Sequence, residues 1–467
     1  MAVAIVGICS WGCNLTSGGT DAGGTSSTGG NTGNGGATNS GGQTSSNGSG
    51  GASAGGSGGG NASGGATGSG GVTGSGGDNG SGGASNAGGK TGSGGATNAG
   101  GATGSGGATS AGGATGSGGA TNAGGATGSG GATATGGSTT TEGPCDIYKR
   151  IDGQPCVAAH STVRRIVSTY TGALYQVRVG GSNTGTGGST AEIGFGADGF
   201  ADSAAQDTAC GNSACTISII YDQSGKGNHL THTLAGGSAK PGADVEADAK
   251  ALKVSVGGHT VYGVHIHGDP GGIGYRNNKP NGTATGDNAE TEYAVLDATY
   301  FNGGCCFDYG NMETNTHDNG EGTMEAIYFG NCTYWGKGSG NGPWVMGDLE
   351  NGLWAGSSSP YAGNTSIPAT YKYLTAMLKG DVAGKNHWAI KAGDAQAGTL
   401  TSQFDGQRPS SRYNPMRKEG AIALGTGGDN SNGAQGNFFE GVMTAHFSSD
   451  AADTAVQANI VAAGYGK

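Results

Sequence analysis

The chain contains a long tract of small residues that cannot build a hydrophobic core. Glycine makes up 108 of the 467 residues, and residues 14–142 consist almost entirely of Gly, Ser, Thr, Ala and Asn. From Gly101 a repeat is visible: GATGSGGATSAG, GATGSGGATNAG and GATGSGGATATG. Ala and Thr methyl groups bury too little apolar surface to offset the entropy lost on ordering. We therefore expect residues 14–142 to be a disordered Gly-rich linker and the fold to occupy residues 143–467.

The first residues are similar to the end of an export signal. The apolar run Ala2–Ile8 is far shorter than the roughly 20 residues that span a bilayer, and no basic segment precedes it. Cys13 in Ser-Trp-Gly-Cys could carry a lipid. Alternatively, residues 1–13 are a degraded signal with two incidental cysteines. We expect an extracellular protein, secreted or lipid-anchored at the cell surface.

Composition and charge exclude two classes of protein. The tract lacks Pro and a strict Gly-X-Y period, so it is not collagen. Only 12% of the residues are charged and the formal net charge is −11. Binding of nucleic acid requires clusters of Lys and Arg, which the chain lacks.

The region from Gly143 onward has the pattern of an all-β domain. Short apolar or alternating runs recur between Gly, Asn and Asp turns, which is typical of a β-sandwich or barrel. The apolar spacing in Val157–Ser168 predicts one short helix. Val456–Ala463 fits a terminal strand or helix. The predicted strands are Ala173–Val179, Thr216–Tyr221, Val261–Ile266, Tyr293–Leu296, Glu325–Phe329, Trp344–Leu349, Tyr373–Leu378, His387–Ile390, Ala421–Leu424 and Phe438–Ala445.

Seven cysteines lie in this region, and an extracellular location favours disulfides. Two pairs would each close a short loop, and a third pair is adjacent in sequence. Zinc spacing of the CxxC type is absent. The pairs are Cys145 with Cys156, Cys210 with Cys215, and Cys305 with Cys306, which leaves Cys332 as a buried thiol.

Two acidic segments are candidates for catalysis. In GPWVMGDLENG, strand alternation would place Trp344, Met346, Asp348 and Glu350 on one face. Two carboxylates so close together should raise a pKa, although a polar outer sheet face would give the same pattern. Asp429 lies in GTGGDNSNGAQG, where it could form an ordinary Asx turn or present a carboxyl group to a cleft.

Other candidates are weaker. Trp335, in the loop sequence YWGKGSGNG, could stack on a sugar or be buried structurally. His265 and His267 alternate in VHIHG and could bind a metal, but no third ligand is indicated and a solvated strand face is the favoured explanation. A Gly-x-Ser-x-Gly motif is absent, which weakens a serine hydrolase.

Many motifs, in order, are familiar from one family. They include GPCDIY, AAHSTVR, IYDQSGKGNHLT, GYRNN, GCCFDYGN, MEAIYFG, GPWVMGDLENGL, YNPMRKEGAI, GTGGDNSNGAQG and FEGVMT. Together they resemble the catalytic domain of glycoside hydrolase family 54, the α-L-arabinofuranosidase B type. The resemblance runs from about Gly143 to Lys467 and does not include the tract.

The resemblance implies a jelly-roll β-sandwich and a retaining mechanism without metal or cofactor. Glu350 of Leu-Glu-Asn-Gly would be the nucleophile, and Asp429 of Gly-Gly-Asp-Asn-Ser the general acid/base. A vicinal disulfide, Cys305–Cys306, would lie against the sugar, and the family's other two disulfides match the two short-loop pairs. The expected sugar contacts are Asp348, Asn351, Gly352 and Gly428, with Trp335 as a wall.

The sequence thus predicts a monomeric, exo-acting enzyme that removes arabinofuranose from arabinan, arabinoxylan or related side chains. The family's C-terminal arabinose-binding module is expected to be missing, which favours short substrates. Alternatives are a β-D-galactofuranosidase, a β-D-xylosidase, a non-catalytic surface carbohydrate-binding protein, or a structural cell-surface protein in which only the repeats matter.

Overall fold

The computed structural model describes residues 142–268, 272–382 and 384–467. The predictions for residues 1–13, including Cys13, and for the Gly-rich linker lie outside these residues, apart from the last linker position. Glu142 accepts two hydrogen bonds from Arg150, at 2.8 and 2.7 Å, and its carbonyl accepts one from Asn459.

The described region consists mainly of antiparallel strands. Three α-helices flank or interrupt them: α1 (Pro144–Asp152), α2 (Ser203–Cys210) and α3 (Asp450–Ala463). The strands are β1 (Cys156–Ser161), β2 (Tyr175–Val179), β3 (Ser189–Ile193), β4 (Cys215–Ile220), β5 (Leu230–His232), β6 (Lys253–Val256), β7 (His259–Tyr262), β8 (Val264–Ile266), β9 (Tyr275–Asn277), β10 (Glu290–Asp297), β11 (Asp308–Met312), β12 (Glu325–Gly330), β13 (Trp344–Asp348), β14 (Leu353–Trp354), β15 (Tyr373–Gly380), β16 (Trp388–Asp394), β17 (Thr401–Gly406), β18 (Ala421–Leu424) and β19 (Gly436–Thr444). A 3₁₀ turn covers Ser411–Tyr413.

Two large sheets form the sandwich. The ten-stranded sheet has the order β14-β13-β12-β11-β18-β9-β5-β4-β2-β3. The seven-stranded sheet has the order β8-β19-β10-β15-β16-β17, and β1 pairs with β19. One core cluster holds buried side chains of both sheets, including Tyr309, Val345, Leu378 and Trp388. The all-β sandwich is therefore confirmed.

Strand β13 shows how the sandwich separates its two faces. Val345 belongs to the core between the sheets, and a methyl group added at Gly347 would lie 2.6 Å from the Trp388 ring of the other sheet. Because side chains alternate along a strand, Met346 and Asp348 point to the opposite, outer face. Met346 lies there in a small buried cluster with Cys306.

The helix predicted over Val157–Ser168 is wrong. Residues Cys156–Ser161 form β1, every residue of which is buried, and this strand pairs with β19. The apolar spacing suited a helix, but sheet hydrogen bonds and burial decided the local conformation. At the other terminus, Val456–Ala463 is helical within α3, where Ser449 caps the first turn by accepting a hydrogen bond from Ala452.

The three expected disulfides are present. Cys145–Cys156 joins α1 to β1, and Cys210–Cys215 joins α2 to β4. Cys305–Cys306 lies just before β11, with Cys332 as a buried free thiol. Among the described residues, no helix has both the length and the apolar character needed to cross a membrane.

Candidate active site

Three segments of the chain meet on the outer face of the ten-stranded sheet. They are the turn after β13, the Cys305–Cys306 pair before β11, and the loop 425–433 after β18. Strands β11 and β18 are antiparallel neighbours, with Tyr309 opposite Leu424. The cysteine pair and the 425–433 loop therefore lie at the same edge of the sheet, although more than a hundred residues separate them in sequence.

The turn after β13 carries Glu350 in an unusual backbone conformation. Strand β13 ends at Asp348, and Glu350 and Asn351 have φ angles of 65° and 58°. The prediction that Glu350 shares a strand face with Asp348 is therefore wrong. Left-handed backbone at non-glycine residues is uncommon and concentrates at functional sites. Tyr413 stabilises the turn, since its hydroxyl donates to the carbonyls of Glu350 (3.2 Å) and Asn351 (3.3 Å).

Asp348 links this turn to the vicinal disulfide. Its Oδ1 accepts a hydrogen bond from the backbone N–H of Glu350 at 3.1 Å, and its Oδ2 lies 3.3 Å from Sγ of Cys306. A disulfide sulfur has no proton to donate, so a proton in this contact must belong to the Asp348 carboxyl group. Asp348 and Glu350 are both buried.

The disulfide also supports the loop that carries Asp429. Cys306 donates its backbone N–H to the carbonyl of Ser431 (3.3 Å), and Gly433 donates to the carbonyl of Cys305 (2.9 Å). The Cys305–Cys306 peptide bond is cis. A methyl group added at Gly427 would lie 3.5 Å from Sγ of Cys306, so the loop packs directly on the disulfide.

Asp429 forms the Asx turn that its sequence allowed. Its Oδ1 accepts a hydrogen bond from the backbone N–H of Ser431 at 3.0 Å, which is an Asx turn. The residue is half-buried, and its charge acts on the pKa values of Asp348 and Glu350. The turn therefore holds one carboxyl oxygen of Asp429 while the group stays close to the other two acids.

The site is strongly acidic. Burial first, and then the charges of Glu313, Asp348 and Asp429, raise the pKa of Glu350 to about 11. Burial likewise raises the pKa of Asp348 to about 7, against the lowering effect of the Glu350 N–H. The pKa of buried Asp308 is raised as well, by burial first and then by Asp348.

One buried cation lies beside these acids but forms no ion pair with them. Arg276 on β9 is 4% exposed. Its guanidinium donates to the carbonyls of Gly427 (3.0 Å), Gly428 (3.2 Å) and Glu313. Arg276 thus holds the backbone of the loop by hydrogen bonds. Burial raises the pKa of Glu313, and the charge of Arg276 opposes that rise without an ion pair.

Sequence reasoning missed three of these residues: Arg276, Asp308 and Glu313. Arg276 and Asp308 lie inside the motifs GYRNN and GCCFDYGN. Each is a charged residue in an otherwise buried strand, and that pattern could have identified them as candidate site residues. Glu313 follows β11 directly. It is fully buried, its Oε1 accepts a hydrogen bond from Thr323 at 2.6 Å, and burial raises its pKa to about 7.

The expected sugar contacts lie around these acids. Trp335 is 42% exposed, and its carbonyl accepts the N–H of Leu353 at 3.2 Å, three residues after Glu350. Asn351 is exposed, whereas Gly352 and Gly428 are buried. A side chain at Gly428 would overlap Oε2 of Glu313, so the chain approaches the acids closely at that point.

In the described parts of the chain, His265 and His267 belong to no group of three potential metal ligands. His265 Nδ1 is hydrogen-bonded to Asn437 Oδ1 at 2.8 Å, and the two histidine rings are 6.1 Å apart. The described residues contain one group of three potential ligands, Cys305, Cys306 and Asp348. Its two sulfurs are joined in a disulfide and so provide no thiolate.

A family profile described as "Alpha-L-arabinofuranosidase B, catalytic" matches residues 144–466. The chain belongs to the α-L-arabinofuranosidase B family. The match covers the sandwich and every segment of the site, and it begins after the Gly-rich tract.

Curated members of the α-L-arabinofuranosidase B family are similar over the same region. The "Alpha-L-arabinofuranosidase" of Hypocrea jecorina is 56% identical over 328 residues, which cover 69% of this chain and 63% of that protein. The "Arabinofuranosidase/B-xylosidase" of Trichoderma koningii is 55% identical over 328 residues, with the same coverage. The chain thus spans less than two thirds of the length of these relatives.

Solved structures of the α-L-arabinofuranosidase B family agree with the fold. An arabinofuranosidase complexed with arabinofuranosyl-α-1,2-xylobiose is 52% identical, with a TM-score of 0.64 over 69% of this chain and 66% of that chain. A glutamate-to-glutamine mutant of a GH54 α-L-arabinofuranosidase, soaked with 4-nitrophenyl α-L-arabinofuranoside, is 51% identical with the same TM-score and coverage.

Proposed function

We propose that this chain is a retaining, exo-acting α-L-arabinofuranosidase. The observation that carries the proposal is the convergence of Glu350, Asp348 and Asp429 with the Cys305–Cys306 disulfide in one acidic site of a family member. Retaining hydrolysis needs two carboxyl groups about 5–5.5 Å apart, one on each side of the bond that breaks.

We assign different roles to the two proposed catalytic residues. Glu350 attacks the anomeric carbon and forms the covalent glycosyl-enzyme, while Asp429 donates a proton to the departing oxygen. Asp429 then removes a proton from the water that hydrolyses the intermediate. Because Oδ1 of Asp429 accepts the Ser431 N–H, we assign the transferred proton to Oδ2.

The acidic cluster favours the transition state over the bound, neutral substrate. Glu350 has a raised pKa because negative charge is poorly tolerated among buried carboxyl groups. A glycosidase transition state carries positive charge on the sugar ring. Binding this cation stabilises the ionised form of Glu350, which is the form that attacks, so the cluster interacts more strongly with the transition state than with the neutral substrate.

The remaining residues would bind the sugar. Asp348 accepts hydrogen bonds from sugar hydroxyl groups close to Glu350. The disulfide offers an apolar surface to one face of the furanose, and exposed Trp335 forms one wall of the sugar-binding site. The chemistry uses no group beyond the chain's own side chains and water. We propose that the substrates are arabinan, arabinoxylan or related side chains, in agreement with the arabinofuranosyl-xylobiose bound by the similar structure.

The setting of the enzyme is also part of this proposal. Three disulfides are consistent with an extracellular protein, secreted or lipid-anchored through Cys13. We propose that it acts as a monomer, because the whole proposed site is built from one chain.

A β-D-xylosidase activity is the second candidate. It is favoured by the name of the Trichoderma koningii relative, "Arabinofuranosidase/B-xylosidase". No comparable observation supports a β-D-galactofuranosidase activity or a non-catalytic binding role.

The test is hydrolysis of 4-nitrophenyl α-L-arabinofuranoside by the full chain, with 4-nitrophenyl β-D-xyloside and β-D-galactofuranoside alongside. We expect the arabinofuranoside to react fastest and NMR to show α-L-arabinose as the first product, because two displacements retain configuration. Glu350→Gln should lose at least about 10³-fold in kcat, whereas the exposed variant Glu192→Gln should match the wild type. A folded protein that binds arabinose but hydrolyses none of the three would contradict the proposal.

A further inference from the structure

One loop outside the site described above lies against the segment that carries Asp429. The 234–243 loop follows β5, between Thr233 and Asp244, and the N–H of Asp244 donates to the carbonyl of Thr233 at 2.9 Å. Inside it, Gly236 donates to the carbonyl of Pro241 at 3.1 Å. These bonds close the loop on itself.

The loop makes direct contact with Asp429 and the residue after it. Ala239 donates its backbone N–H to the carbonyl of Asp429 at 3.0 Å. Asn430, which is buried and has a φ of 70°, donates from Nδ2 to the carbonyl of Lys240 at 3.3 Å. A side chain at Gly237 would overlap Cβ of Asn430, so the two backbones approach closely.

A buried carboxylate fastens the base of the loop to the same segment. Oδ1 of Asp244 accepts hydrogen bonds from Nζ of Lys240, at 2.8 Å, and from Nδ2 of Asn432. Lys240 belongs to the loop, and Asn432 follows Asp429 by three residues. Asp244 is 1% exposed, so it cannot touch a bound substrate and must act through its neighbours.

The residue before Ala239 makes contact in the direction of Glu350. Ser238 donates its N–H to the carbonyl of Thr316 at 3.0 Å, and its hydroxyl accepts the N–H of Asp318 at 3.3 Å. Oδ1 of Asp318 accepts a hydrogen bond from Nδ2 of Asn351 at 3.3 Å. Consecutive loop residues, Ser238 and Ala239, therefore connect the turn of Glu350 with the segment of Asp429.

We propose that the 234–243 loop sets the position of Asp429 relative to Glu350, and that Asp244 is the positioning residue that holds the loop in place. The inference rests on the proposed function. Asp429 lies in a Gly-rich loop, so its placement depends on such outside contacts. A displacement of ~1 Å can cost on the order of 10² in rate when a catalytic group must reach one atom.

The test compares two leaving groups. Release of 4-nitrophenol needs little protonation, whereas release of methanol from methyl α-L-arabinofuranoside depends on the general acid. For Asp244→Ala we expect kcat/KM to fall about tenfold to a hundredfold on the methyl glycoside and less than about threefold on the nitrophenyl glycoside. Asp244→Asn keeps an acceptor for Asn432 and should recover most of the loss.

Two further variants make the test decisive. Asp248→Ala removes an exposed carboxylate nearby that accepts the N–H of Lys250, and it should change neither rate. Lys240→Met removes the ion pair with Asp244 alone, and it should show a smaller loss of kcat/KM that is again confined to the methyl glycoside. This variant carries the test if Asp244→Ala does not fold. Equal losses on both substrates, or no loss on either, would overturn the inference. A wild type inactive on both would overturn the proposed function and this inference with it.

Discussion

The carboxyl group of Asp348 accepts the backbone N–H of Glu350 at 3.1 Å. Asp348 is the last residue of β13, so a rigid strand end holds the first peptide of the turn that presents the proposed nucleophile. The same carboxyl group reaches Sγ of Cys306 with its other oxygen. One side chain thus joins the turn of the proposed nucleophile to the disulfide.

The stability of the protein should depend on pH through Glu350. Its pKa in the folded protein is raised above the ordinary value of 4.5. Folding therefore takes up a proton above pH 4.5, and the free energy of unfolding falls as the pH rises. Glu350→Gln removes this penalty, so its Tm should exceed that of the wild type at pH 7–8 and approach it near pH 4.5. Thermal unfolding at both pH values, with exposed Glu192→Gln as control, checks this; a Tm difference that grows toward acid would contradict it.

Replacing Asp429 should affect the two chemical steps differently from replacing Glu350. Asp429→Ala removes the general acid and base, which typically contribute 10²–10⁴-fold. With 4-nitrophenyl α-L-arabinofuranoside, azide should restore turnover because it attacks the glycosyl-enzyme without a base, and it should give arabinosyl azide of retained configuration. Product NMR identifies the anomer. Azide without effect, or an azide of inverted configuration, would mean that Asp429 does not have this role.

Gly428 should not tolerate even one methyl group. An added Cβ would overlap Oε2 of Glu313 and lie 2.9 Å from Sδ of Met324, both in a closely packed region. We expect Gly428→Ala to cost about 1–3 kcal/mol of stability and, by displacing Asp429, to reduce kcat/KM on methyl α-L-arabinofuranoside at least about tenfold. Gly433→Ala is the matched control, since its Cβ would meet only the carbonyl oxygen of Cys305 at 3.5 Å. Similar behaviour of the two variants would argue against close packing at residue 428.

The vicinal disulfide should matter for binding more than for folding. Converting Cys305 and Cys306 to alanine removes the apolar surface beside Asp348, so KM should rise about tenfold, or ~1.4 kcal/mol of binding free energy. The double alanine variant of Cys210 and Cys215, at α2 and β4, should lower Tm and leave KM unchanged. Steady-state kinetics and thermal unfolding of both variants separate the effects. An unchanged KM in the first variant would exclude contact between the disulfide and the sugar.

Much of the fold could be predicted from local pattern. The runs Glu325–Phe329 and Ala421–Leu424 are strands as predicted, because short apolar runs between turn residues suit buried strands. The same logic failed for Val157–Ser168, where apolar spacing favoured a helix and pairing with β19 imposed a strand. Local spacing does not report which neighbour a segment will pair with.

The candidate site, like the fold, was predictable from the sequence only in part. The sequence by itself determined the all-β class and the acidic segments around Glu350 and Asp429, since these depend on residue type and short spacing. Only the tertiary structure decided that Glu350 leaves the strand in a left-handed turn and that Arg276 binds carbonyls instead of carboxylates. The physical reason is that burial, repulsion and hydrogen bonding act between groups far apart in the chain, such as Asp348 and Cys306, which meet only when β11, β12 and β13 pair in register.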